Sequence, residues 1–337
     1  MYCLYKNHNR RVRMKLSFFK AAAVAGLASL AAMSPMTHAG GHQQLDSIHF
    51  LVPGGAGGGW DGTARGTGEV LTRSGLIGNA SYENMSGGGG GKAIGYLIEN
   101  AESNQGTLMV NSTPIVIRSL TKVFPQSFRD LTPIAGTIGD YAALVVKADS
   151  DINSFSDLVE IFENDPNELA IAGGSVAGGM DHLVAALAMK SAGADPLAVK
   201  YLPFDAGGEA MASLLSGEAD ALSTGLSEAV GLAEQGEVRI LVTTAPDAID
   251  GIPSLKSEGY DAEFVNWRGF FAAPGISDAQ RDQYVKVLGD MYNTPEWEEV
   301  RARNKWVNIY NPGSDFVQFL EKQEAEIGGL MKELGFL

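Results

Sequence analysis

Residues 50–62 read FLVPGGAGGGWDG: an apolar run, a proline, and then five glycines among the six positions 54–59. A chain dispenses with side chains where its backbone must turn through a positive φ or come close to another group. Set between a strand and a helix, such a loop presents unpaired backbone amides at the positive end of a helix dipole, which together favour an anion. The arrangement recurs in AGGSVAGGMDHL, residues 172–183. A fold compatible with this sequence therefore has to bring at least two glycine-opened helices to places where a ligand can reach them.

Apolar runs of strand length alternate with helical patterns on both sides of these loops. IHFLVP, ASYENM and GTLMVNS read as strands, and WDGTARGTGEVLTRSG and GKAIGYLIENA as the helices between them. A long apolar run, IGDYAALVVKADS at 138–150, then leads to the capped helix INSFSDLVEIFENDP. A second series follows through ELAIAG, MDHLVAALAMKSAG, AVKYLPF, GEAMASLLSGEA, DALSTG, LSEAVGLAEQG and VRILVTT. AEFVNWRGFFAAPG reads as a returning strand, and three amphipathic helices close the chain. The pattern predicts an α/β fold with a mainly parallel sheet, in two lobes joined by a double crossover.

Residues 1–39 carry six basic residues and no acid, then an apolar stretch from Ala21 to Met33 and small residues up to Ala39. That is the order of a secretory signal peptide, with cleavage near Ala39 and with Met1 or Met14 as the start. Its apolar core is shorter than the roughly 20 residues of a membrane span. The rest of the chain holds 19 basic and 40 acidic residues. Such acidity argues against a nucleic-acid or anionic-membrane surface, which needs clustered positive charge. The lone cysteine, Cys3, falls in the leader, so the exported chain has no disulfide, thiol nucleophile or cysteine metal ligand.

Other chemistries fit less well. Gly57, Gly59 and Gly62 satisfy the dinucleotide spacing, with Glu83 as the ribose acid, but Asp61 would face the pyrophosphate and Pro53 lengthens the turn. SGGGGGKA, residues 86–93, imitates a Walker A loop with Ser86 in place of the first glycine and Ala93 in place of the magnesium-binding hydroxyl. Outside the leader the histidines are His42, His49 and His182, and residues 173–177 lack the spacing of a nucleophile elbow around Ser175. No catalytic residue, metal site or cofactor is expected, and an exported hydrolase is the alternative of another class.

Pro53, Ala56, Gly57, Gly58 and Asp61 resemble the first loop of the Bug-type periplasmic receptors of tripartite tricarboxylate transporters. The resemblance continues through Ser175, Gly178 or Gly179 and His182-Leu183, through residues 201–225, and through NWRGFFAAPGIS at 266–277, so that it covers the chain beyond the leader in order. It implies a type II, Venus-flytrap binding protein with two hinge crossovers: lobe 1 from residues 40–143 plus 267–337, lobe 2 from 144–266. It implies a monomer that binds a small organic polycarboxylate, a citrate-like tricarboxylate first and a dicarboxylate or aromatic carboxylate second. The partner implied is a membrane permease of one large and one small subunit. The ligand residues implied are Gly57, Gly58, Gly59, Trp60 and Asp61 in the first loop and Ser175, Val176, Ala177, Gly178 and Asp181 in the second. Ser112 and Thr113 would add hydroxyls, and Asp205 and Ala206 would open a further helix on the cleft. Asp61 and Asp181 have a second reading as N-terminal helix charges, and Trp60 as a core wedge. Arg268, alone in an apolar segment, reads as a carboxylate clamp or as a structural ion-pair partner.

Overall fold

The computed structural model describes residues 44–337; the predicted leader lies outside them. The first series runs β1 (Leu45–Val52), α1 (Gly59–Arg73), β2 (Ile77–Asn84), α2 (Gly91–Glu99), β3 (Thr107–Ser112) and α3 (Thr113–Thr121). The 16-residue β4 (Thr132–Lys147) follows. The second series is α4 (Phe155–Asn164), β5 (Ala170–Gly173), α5 (Met180–Ser191), β6 (Lys200–Pro203), α6 (Gly207–Ser216), β7 (Ala221–Gly225), α7 (Leu226–Glu234) and β8 (Val238–Thr243). The chain returns through β9 (Val265–Ala272), α8 (Asp278–Met291), α9 (Pro295–Arg303), β10 (Val307–Pro312) and α10 (Ser314–Glu333).

The strands form one curled sheet in the order β2-β1-β3-β9-β4-β7-β5-β6, with β10 and β8 also paired to β4. β4 is the joint. Its first part, up to Tyr141, pairs with β9 and β10, and from Ala142 onward it pairs with β7 and β8. The result is a two-lobed α/β architecture. The sheet is mixed, not mainly parallel: the crossover units pair parallel, but every pairing of β4 and β9 is antiparallel. The crossover through α3 brings β4 back in the direction of β3, and β9 enters between them running the opposite way, so it pairs antiparallel with both.

Alternation along the second half of β4 shows why residues 142–146 are all apolar. Leu144 and Val146 enter the core beneath α4 and α5, and Ala143 and Val145 enter the core beneath α6 and α7. A strand covered on both faces has no polar side to show. In the first series Phe50 and Val52 of β1 pack with Val70 and Leu71 of α1 and Phe270 of β9. A further cluster joins the series: Phe316, Leu320 and Met331 of α10 pack with Ile117 of α3 and with Met180, Leu183 and Val184 of α5. Each such fully buried side chain contributes about 1.5–3 kcal/mol.

Candidate functional site

Both glycine loops are built the same way. Each places a glycine in the left-handed region, Gly57 at φ 77° and Gly178 at φ 72°, just before the glycine that opens the helix, Gly58 or Gly179. Each of these left-handed glycines donates its amide to a side chain four residues on, Gly57 to Asp61 Oδ2 at 3.1 Å and Gly178 to His182 Nδ1 at 3.0 Å. The turn is thereby locked, and the amides that follow open the helix.

The two loops line one cleft, of about 800 Å³ with its mouth included. Gly58, Gly59, Trp60, Ser112, Ser175, Val176, Asp181, Asp205, Ala206 and Arg268 line it, as do Ser86, Gly87, Gly89, Gly90, Arg118, Glu228 and Asn266. The helix starts that meet it, those of α1, α2, α3, α5 and α6, receive no hydrogen bond from their own N-cap side chain; side chains from elsewhere take one amide each in α3, Thr113 N–H to Asn266 Oδ1 at 3.3 Å, and in α5, Asp181 N–H to Ser175 Oγ at 3.1 Å. Away from it, Ser154, Ser277 and Thr294 cap α4, α8 and α9 with their hydroxyls. Orphan N–H groups of helix starts are ordinarily satisfied by such caps, by water or by a ligand. Here five positive helix ends whose N-cap residues supply no side-chain cap converge on one space.

Glycine is obligatory where the walls meet. A Cβ on Gly55 would lie 2.8 Å from Ala206 Cβ at the start of α6, and one on Gly59 would lie 2.1 Å from an Arg268 guanidinium nitrogen. Trp60 lines the cleft, its ring packed beside Gly54 and Gly90 and its Nε1 donating to Ser112 Oγ at 2.9 Å.

Five predicted ligand residues are not on the cleft wall. The Gly57 and Gly178 amides are used within their own loops, as above. Asp61 is buried and accepts from Arg65 Nε at 2.8 Å and Asn84 Nδ2 at 3.0 Å, so it staples α1 to β2. Thr113 is wholly buried, and Ala177 points to solvent from the outer side of its turn. Arg268 lies on the wall, but its guanidinium is committed: it donates to Asp140 Oδ2 at 2.7 Å and to Gly59 O and Thr63 Oγ1 at 3.0 Å each. Of its two open readings, the geometry is that of the ion-pair partner.

The acids of the site are shifted upward. Burial pushes Glu228 up to about 8, against the pull of Arg268, and pushes Asp181 up to about 7. Burial also raises Asp140, opposed by Arg268 and by two hydrogen bonds from Ser227. Glu228 and Asp181 thus hold protons near neutrality and can donate to a carboxylate. Ser175 Oγ meets Tyr201 OH at 3.0 Å and the Asp181 amide at 3.1 Å, with no histidine base beside it. Glu83 pairs instead with His49 at 3.6 Å on the neighbouring strand. No group of three or more metal-ligating side chains exists among the described residues, and no helix among them is long and apolar enough to cross a membrane.

The family model described as the tripartite tricarboxylate transporter family receptor matches residues 72–336. The chain belongs to that family. It is a family of periplasmic substrate-binding receptors, not an enzyme family; it binds small carboxylate ligands and works with a transporter. The receptor is 28% identical over 264 residues to the UPF0065 protein in the tcbD-tcbE intergenic region of Pseudomonas sp. strain P51, spanning 75% of this chain and 76% of that one. Its fold is similar to that of the periplasmic binding protein BugD, with a TM-score of 0.77 at 18% identity over 86% of this chain and 98% of the other. MatC from Rhodopseudomonas palustris with bound malate gives a TM-score of 0.74 at 18% identity, over 85% and 98%. Another Rhodopseudomonas palustris protein, solved with adipate, gives 0.77 at 19%, over 86% and 97%.

Sequence reasoning passed over Arg118, Glu228, Asn266 and the Ser86–Gly90 loop. Arg118 carried the same signal as Arg268, one arginine inside an apolar run (TPIVIRSLT), but that run was not recognised as a helix. Nothing in the sequence around Glu228 distinguishes it from an ordinary surface acid.

Proposed function

We propose that this receptor binds a small organic polycarboxylate in the cleft, with a citrate-like tricarboxylate first, and delivers it to a membrane permease of one large and one small subunit. It acts as a monomer outside the cytoplasm after removal of its leader near Ala39. The observation that carries the reading is the convergence on one cleft of five helix starts whose N-cap residues supply no side-chain cap, since helix N-termini stabilise anions through both dipole and amides. A dicarboxylate is the second reading, supported by the malate and adipate held by two receptors of similar fold.

Residues 40–143 with 267–337 and residues 144–266 would be the moving lobes, pivoting where β4 changes partners at Tyr141–Ala142 and where β9 begins at Val265. Contact between Gly55 and Ala206 across the cleft supports closure as the binding step. A ligand favours closure to the extent that it touches both walls only in the closed form.

A thermal-shift screen over citrate, malate, adipate, benzoate, sugars and amino acids tests the function. A ligand at 100 times its dissociation constant adds about 2.7 kcal/mol, which moves a melting curve readily. Citrate or a diacid is expected to give the largest shift. A response confined to neutral sugars or amino acids would rule the reading out.

A further inference from the structure

Arg118 differs from every other cation of the cleft wall in having no partner. It sits on the buried face of α3, is 7% exposed, and lines the cleft. Its guanidinium makes no hydrogen bond or ion pair among the described residues; its one ring contact is with Phe124, 5.4 Å from the ring centroid. Arg268, equally buried, shows the ordinary condition, held by Asp140 at 2.7 Å. A guanidinium stays protonated at any physiological pH and has only donors, so burying one without an acceptor costs stability unless something else supplies the negative charge.

The loop that covers Arg118 is the glycine run that imitates a nucleotide-binding loop. Gly87, Gly88, Gly89 and Gly90 all have positive φ, at 139°, 59°, 60° and 95°. A Cβ on Gly89 would fall 1.8 Å from an Arg118 guanidinium nitrogen. The run therefore closes bare backbone directly over the guanidinium, leaving its free edge to the cleft, where Ser86, Gly87, Gly89 and Gly90 stand beside it. A cation held this way is set for an anion that arrives from solution.

We infer that Arg118 and the Ser86–Gly90 loop form a subsite for a second carboxylate of the ligand, so that the cleft selects acids with two or more carboxylates over monocarboxylates. This rests on the carboxylate reading above and deepens it. One carboxylate lies on the helix starts at Gly58–Trp60 and Ser175–Val176, and the second meets the planar donor fork of Arg118, which matches a carboxylate in bidentate fashion.

The test compares acids that differ by one carboxylate: adipate against hexanoate, and malate against 3-hydroxybutyrate, with citrate as the triacid. Each is titrated calorimetrically into the wild type, Arg118→Gln, Arg118→Met and Arg118→Lys. In the wild type the better diacid is expected to bind at least about 10-fold tighter than its monoacid, the scale of a hydrogen-bonded charge. The preference disappears in Arg118→Gln and Arg118→Met while monoacid affinity holds, and Arg118→Lys restores part of it. Without ligand, Arg118→Met melts at the wild-type temperature or above, because it removes an uncompensated buried charge. Retention of the diacid preference in Arg118→Gln overturns this inference alone, as does a lowered melting temperature of unliganded Arg118→Met with the preference unchanged. Failure of every acid to bind the wild type overturns the carboxylate reading and this inference with it.

Discussion

Burying Arg268 removes a guanidinium from water, and the chain compensates with Asp140, Gly59 O and Thr63 Oγ1, while Glu228 stands 3.6 Å away. Removing one partner of such a pair leaves the other charge stranded, at a cost of about 3–5 kcal/mol. Arg268→Ala is accordingly expected to lower the unfolding free energy obtained from urea titration by that much, with or without ligand. A loss near 1 kcal/mol, the scale of an exposed pair, would show that Asp140 finds another partner. Glu228 gives a pH dependence of definite sign. Its carboxyl binds a proton more tightly in the folded protein than in the unfolded chain, where the ordinary value is 4.5, so its contribution is complete at low pH and is lost as pH rises through about 8. Asp181, pushed up to about 7, acts in the same direction. The unliganded protein should therefore melt at higher temperature at pH 5.5 than at pH 8.5. Acids held below their ordinary range, such as Asp157 and Glu299, lose their contribution only at lower pH. Glu228→Gln should flatten the slope between those two pH values; an unchanged slope in the variant would remove Glu228 as its source.

At the scale of elements, the cleft is assembled from helix starts, and what fits between them is backbone. Gly55 and Ala206 approach so closely that one methyl group matters: a Cβ at residue 55 would stand 2.8 Å from that of Ala206. Gly55 does not have a positive φ, so Gly55→Ala leaves the loop conformation accessible and acts on the approach itself. The variant is expected to keep its unliganded stability within about 0.5 kcal/mol of the wild type, as surface changes do, and to lose ligand affinity. Calorimetry beside thermal melting separates the two effects, and full affinity in the variant would mean that binding does not draw these elements together. Strands and helices of both series were readable because their periods differ, 2 against 3.6 residues. α3 was not. Its sequence TPIVIRSLT is short and rich in β-branched residues that favour strands, and only packing against α10 and α5 makes it a helix. β10 escaped notice for a related reason, since its residues alternate between half-buried and exposed and its pairing partner lies far back in the chain.

In the whole molecule, β4 belongs to both lobes, and the cluster of α3, α5 and α10 ties the C-terminal helix to each series. The chain alone determined the α/β class, the two series, and the two glycine loops, because these follow from local periodicity and from where a backbone can do without a Cβ. At α1 and α5 it also determined that the helix opens on a glycine, which has no side chain to cap it. What only the tertiary structure decided was the use of the charged groups. Two arginines sit in similar apolar contexts, Arg118 and Arg268, and sequence cannot tell which has an acid waiting for it. Asp140 meets Arg268 from 128 residues away, while no acid among the described residues pairs with Arg118. The amides of Gly57 and Gly178 likewise look available until the turn brings Asp61 and His182 onto them. Electrostatic partnership depends on distances of a few ångströms between residues remote in sequence, and those distances exist only once the chain has folded.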